Sequence, residues 1–125
     1  MIELVCGIIY KGDEVLICRW AAHKSLGGFW EFPGGKVEQG KSKLNSLERE
    51  LMEELGMEVI DADYFIEHSH HYGDLVIKLI AYKCQFKAAT FVMTDYDDYL
   101  WVLPTSLDGF ELAPADVPIA GLLVG

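Results

Sequence analysis

Positive charge is scarce in this chain of 125 residues. Lys and Arg number 10 against 20 Asp and Glu, leaving a net charge of −10. A polynucleotide partner needs basic side chains to neutralise its phosphates, so no nucleic-acid polymer is expected as ligand. A small phosphorylated substrate stays open, because bound divalent metal can supply the missing charge. Cysteine is scarce too. Cys6, Cys18 and Cys84 are odd in number and far apart, each in an apolar run. That spacing fits neither a disulfide framework nor a zinc knuckle and predicts buried free thiols. The opening stretch MIELVCGIIY has an early acid, no basic segment and no long apolar run. It predicts neither a signal peptide nor a membrane span, and a cytoplasmic location is expected. Repeats, low-complexity tracts and linkers are missing as well, and the length suits one core, so one domain over residues 1–125 is expected.

What is present has ordinary globular composition, 51% hydrophobic and 24% charged. Residues 2–10 read as a buried strand, residues 11–14 as a turn and residues 15–20 as the returning strand. The loop AAHKSLGG leads to a short extended piece, Phe29–Phe32, and Pro33-Gly34-Gly35 predicts a sharp bend. Ser42 is placed to cap a helix running to Leu55, with Leu44, Leu47, Leu51 and Leu55 as its buried seam and Gly56 as its left-handed stop. Residues 58–72, 74–86 and 100–103 read as strands and 108–118 as loop, with a short C-terminal helix opening near Pro118.

The helix carries Glu50, Glu53 and Glu54 at i, i+3 and i+4, with Arg49 beside them. At about 100° per residue these acids share roughly one third of the helix circumference, and such crowding costs stability unless a cation sits among them. Hard divalent cations, Mg²⁺ or Mn²⁺, take oxygen ligands of this kind.

Gly35, Arg49, Glu50, Leu51, Glu53, Glu54, Gly56 and Met57 stand at the spacing of a known signature. It resembles that of the Nudix hydrolases: G, five residues, E, seven residues, then R-E-apolar-x-E-E-x-G-apolar. The resemblance implies an α/β/α sandwich around a mixed sheet, where periodicity alone leaves α+β and α/β undecided. It also implies Glu50, Glu53 and Glu54 as metal ligands, joined by the Gly35 carbonyl, with Arg49 orienting Glu50 or Glu53 and one of those two as general base. Lys41 departs from the pattern, since the family carries Glu there. Two like charges, Lys41 and Arg49, would replace an ion pair, so a weakened or retuned enzyme is expected. Glu38 or Glu48 is a substitute partner for Arg49, and Lys41→Glu is expected to raise turnover.

Substrate signals lie outside the signature. RWAAHKSLGGFWEFPGGKVEQG and LAPADVPI are similar to segments of MutT-type nucleoside triphosphate pyrophosphohydrolases, including oxidised-purine (8-oxo-dGTP) and CTP-cleaving members. The likeness implies Asp95, six residues before Trp101, as a further metal ligand with Asp98 in reserve, Arg19 near the nucleotide and Asp116 on the base edge. An ionised Asp116 accepts hydrogen bonds from a guanine edge or a cytosine amino group, and a protonated one also donates. Trp20, Trp30 and Phe32 could stack on a base, although aromatics more often fill cores. His68, His70, His71 and Tyr72 form the one histidine cluster, without further zinc ligands at an evident spacing. The expected activity is Mg²⁺-dependent cleavage of a nucleoside triphosphate to monophosphate and pyrophosphate, with sanitising of 8-oxo-dGTP, a DNA-repair role, as one form. Alternatives are CTP or another pyrimidine nucleotide, a sugar- or dinucleotide-type diphosphate, and a nucleotide-binding domain with weakened catalysis. Monomer and homodimer both stay open.

Overall fold

The computed structural model describes residues 1–124. The first apolar run forms β1 (Ile2–Lys11), which turns through Gly12 and Asp13 into β2 (Glu14–Trp20), as β-branched residues flanking turn chemistry predict. Two short strands follow the loop, β3 (Trp30–Glu31) and β4 (Gly34–Lys36). The bend predicted over Pro33–Gly35 is confined to Pro33. Gly34 and Gly35 instead run extended against Cys6 and Val5 of β1. The Val5 carbonyl lies where a Cβ at Gly34 would go, so close approach, not a turn, requires glycine there.

Helix α1 (Lys43–Leu55) has the predicted limits. The Ser42 hydroxyl accepts the Asn45 N–H at 3.0 Å, and Gly56 ends the helix at φ 56°. Leu47, Leu51 and Leu55 are fully buried, while Leu44 is half-buried at the rim. Beyond Gly56 run β5 (Met57–Tyr72), β6 (Leu75–Ala89) and β7 (Tyr96–Val102), then a 3₁₀ turn (Pro104–Gly109) and α2 (Val117–Leu122). The Thr90 and Phe91 N–H groups donate to the Gly56 and Leu55 carbonyls at 3.2 and 3.0 Å, tying the β6–β7 connection to the end of α1. Phe91 takes φ 54° to do so and stacks on Tyr99 at 3.9 Å. Strand β7 starts four residues earlier than predicted, so Asp97 and Asp98 are strand residues and not loop; pairing with β2 recruits them despite their charge. The region read as loop from Asp108 begins inside the 3₁₀ turn, which Pro104 opens.

Among the described residues, seven strands join one mixed sheet in the order β3-β2-β1-β6-β5, with β4 on β1 and β7 on β2; β1 runs parallel to β6 and antiparallel to β2 and β4. Helix α1 buries its leucine seam on one face against Val5, Ile9, Leu16 and Cys84. On the other face, Leu107 of the 3₁₀ turn and Ile119 and Ala120 of α2 pack on Ile8, Val15, Ile17 and Ala81. This is the expected α/β/α sandwich. The three cysteines are buried and free, and no helix among the described residues is long and apolar enough to cross a membrane. β1 pairs with β2 only near Tyr10 and with β4 only over Leu4–Cys6. The sheet therefore forks, and a cavity of about 280 Å³ opens in the fork.

Candidate active site

Strand β4 runs beneath α1, which sets Gly35 directly against Glu50. A Cβ at Gly35 would collide with the Glu50 carboxylate. That carboxylate is 15% exposed and is held by Arg49 Nη2 at 3.2 Å. Arg49 also binds both oxygens of Glu53, at 3.0 and 3.1 Å, and reaches Glu38 at 3.1 Å. Glu38, not Glu48, thus fills the place left by the family acid missing at Lys41. Burial raises the Glu50 carboxyl above its ordinary range, against the pull of Arg49. Glu53 is 55% exposed and turned aside onto Arg49.

Glu54 lies one turn beyond Glu50, facing the β6–β7 connection. Its Oε2 is buried with no hydrogen-bond donor, yet the Asp95 carboxylate is within hydrogen-bonding reach. Two carboxylates so placed must share a proton or a cation. Burial and the Asp95 contact push Glu54 up to about 7, while Lys24 and Glu54 together hold Asp95 down. Lys24 Nζ stands 3.0 Å from Asp95 Oδ1. A donorless buried oxygen beside a second carboxylate, and a glycine cradle under Glu50, suit a hard cation. As the side chains stand, no three acids among the described residues close around one point. The fit is therefore a row of carboxylates, with Glu53 and Asp95 held by cationic side chains at its edge.

The cavity in the sheet fork adjoins this row at Gly34 and Gly35. Glu31, Asp116, Phe32, Trp20, Tyr72 and Cys6 contribute to its walls. Phe32 is buried, and its N–H donates to Asp116 Oδ2 at 2.8 Å. Trp20 Nε1 and the Tyr96 hydroxyl donate to the two Glu31 oxygens at 2.7 and 2.6 Å. Burial, with Asp116 adding repulsion, lifts Glu31 to about 8 despite those donors, and burial lifts Asp116 to about 7. Near neutral pH these acids can donate as well as accept hydrogen bonds.

Two expected substrate contacts do not reach the cavity. Arg19 and Trp30 face each other across β2 and β3, the guanidinium 5.5 Å from the indole, with Arg19 Nε bound to Asp97 at 2.7 Å. Trp30 packs on Phe110 in the core of the α2 face. Strand alternation explains the split: Trp30 points to one face and Glu31 to the other. Asp98 bonds its neighbour's N–H at Tyr99 and pairs in strand with Arg19. Of the histidine cluster only Tyr72 reaches the cavity; His68 and His70 lie along β5 with ring centroids 6.3 Å apart. Sequence reasoning missed Glu31 and Lys24. An acid between two aromatics in WEF was a usable signal for Glu31, whereas nothing local marks Lys24.

Residues 4–121 match the family model described as NUDIX domain, so the chain belongs to that family, whose Nudix hydrolases cleave diphosphate linkages with a divalent metal. The CTP pyrophosphohydrolase of Escherichia coli (strain K12) is 34% identical over 119 residues, covering 95% of this chain and 88% of that protein. The 8-oxo-dGTP diphosphatase of Proteus vulgaris is 35% identical over 79 residues, covering 62% and 70% of the two chains. The solution structure of the E. coli ORF135 protein superposes with a TM-score of 0.87 at 33% identity, covering 99% and 89%.

Proposed function

We propose that the chain is a Mg²⁺-dependent nucleoside triphosphate pyrophosphohydrolase, releasing nucleoside monophosphate and pyrophosphate. The observation that carries this is the junction at Gly35 of two features: a carboxylate row with a donorless buried Glu54 oxygen, and a cavity walled by acids able to donate and accept. Glu50, Glu54 and the Gly35 carbonyl would hold the metal, with Glu53 and Asp95 able to join. Mg²⁺ bound there would neutralise phosphate oxygens that a chain of net charge −10 otherwise repels. Glu50, half-buried and oriented by Arg49, takes the proton of a water attacking an inner phosphorus. The water oxygen bonds to that phosphorus as its bond to the α–β bridging oxygen breaks, the bridging oxygen departing with the fragment not attacked, and the products are nucleoside monophosphate and pyrophosphate.

Base reading falls to Asp116 and Glu31. A carboxylate there accepts from the cytosine amino group or a guanine edge, and its protonated form donates to a ring nitrogen or carbonyl. CTP and 8-oxo-dGTP are the candidates, CTP first, because the CTP-cleaving relative is similar along nearly the whole chain. Phe32 supports the base pocket from the core. Pyrophosphate release from a nucleotide panel with Mg²⁺ tests the reading. Turnover of CTP or 8-oxo-dGTP that fails in Glu54→Gln is expected, and no turnover of any triphosphate would sink it.

A further inference from the structure

We propose that Lys24 is a built-in counter-cation that occupies Asp95 in the metal-free protein and passes to the substrate's phosphates once a divalent cation takes that carboxylate. This rests on the reading of Glu54 and Asp95 as cation ligands. Lys24 Nζ stands 3.0 Å from Asp95 Oδ1, and Asp95 in turn reaches Glu54. One carboxylate cannot serve an ammonium and a divalent cation at full strength, so loading the site loosens the ion pair. The backbone around Lys24 is fixed: its N–H donates to the Ala21 carbonyl at 3.0 Å and its own carbonyl accepts from Gly27 at 2.9 Å. The Ala21 N–H is bonded to the Asp95 carbonyl at 2.9 Å, which fastens this loop to the acid's own segment. Only the flexible stem of Lys24 needs to swing. Leu26, two residues on, lines the cavity, so the swing takes place at its mouth. Arg49 also holds Glu38 and Arg19 holds Asp97, acids outside the proposed ligand set, so a bound cation would free neither. The phosphates arrive at the same carboxylates that hold the cation, and a freed ammonium beside them is a charge-assisted donor.

The two halves give opposite signs, which a merely structural lysine would not. Lys24→Gln removes a competitor from Asp95, so Mn²⁺ alone, titrated calorimetrically into metal-free protein, binds about threefold tighter, the scale of a partly exposed ion pair. Inorganic triphosphate titrated in the presence of Mn²⁺ binds about tenfold weaker, the scale of one lost charge-assisted hydrogen bond. Lys24→Arg restores wild-type behaviour in both titrations. Unchanged or weaker Mn²⁺ binding in Lys24→Gln overturns the counter-cation, and unchanged triphosphate binding overturns the hand-over. Asp95→Asn separates the inference from its premise. If that variant binds Mn²⁺ like wild type, the ligand reading of Asp95 is what fails; if it binds more weakly while Lys24→Gln does not differ from wild type, only the role of Lys24 falls.

Discussion

Gly35 and Glu50 occupy one another's space: the carboxylate of the helix residue sits where any side chain on the strand residue would begin. Gly35→Ala therefore displaces Glu50 without altering the acid itself. A misplacement on the order of 1 Å at a reacting group costs about a hundredfold in rate. Turnover of Gly35→Ala is expected to fall by about that factor, and steady-state kinetics with a thermal melt will separate this from unfolding. Wild-type turnover in the variant would show that Glu50 does not need its cradle.

Glu54→Gln should divide stability from function. Its buried Oε2 lacks a donor, and its carboxyl contacts Asp95. A neutral amide there can donate to Asp95, so the metal-free variant should melt at the wild-type temperature or higher at pH 8. It should also lose most of the stabilisation Mg²⁺ gives wild type, and turnover should fall about a hundredfold or more. A Mg²⁺-induced rise equal to that of wild type would remove Glu54 from the site.

Glu38 changes what Lys41 implies. Arg49 already has its third carboxylate at 3.1 Å, and the Lys41 side chain is exposed. Lys41→Glu, expected from sequence to raise turnover, should instead alter it by less than about twofold, since exposed ion pairs contribute little. Glu38→Gln should lower kcat by about two- to fivefold as Arg49 loosens. The reverse ranking in kinetics would restore Lys41 as the defect.

Stability should fall with rising pH. Glu31 at about 8 and Asp116 at about 7 bind their protons more tightly in the folded than in the unfolded chain. Their contribution is complete below the ordinary carboxylate range and is lost as pH rises through 7 to 8. The melting temperature without metal should drop by about 5 °C between pH 6 and pH 9, and Glu31→Gln should remove most of that slope. A flat wild-type profile would mean that water in the cavity screens both acids.

Local signals were readable and distant ones were not. Ser42, the leucine seam and Gly56 define α1 within a few residues of chain, so its limits and its acids were legible. Gly34 and Gly35 looked like a bend because the reason for glycine, the Val5 carbonyl and the Glu50 carboxylate, lies far away in sequence. Arg19 and Trp30 each suited a nucleotide when read singly, but they satisfy each other across two strands. The Asp116 position was identified from the family resemblance; its tie to the Phe32 N–H, 84 residues away, needed the fold.

The knot between the β6–β7 connection and the end of α1 has an electrostatic consequence. A helix macrodipole is negative at its C-terminus, so Glu53 and Glu54 stand at the end that disfavours them, and no basic residue occupies the last turn. The Thr90 N–H donates to the Gly56 carbonyl and the Phe91 N–H to the Leu55 carbonyl, at the end of the helix that carries the negative pole. Phe91 accepts a left-handed backbone costing about 1–3 kcal/mol to aim its N–H there, offset in part by the stack on Tyr99. The connection thus works as an insulator, blunting the helix's own field where the acids must stay charged enough to attract a cation.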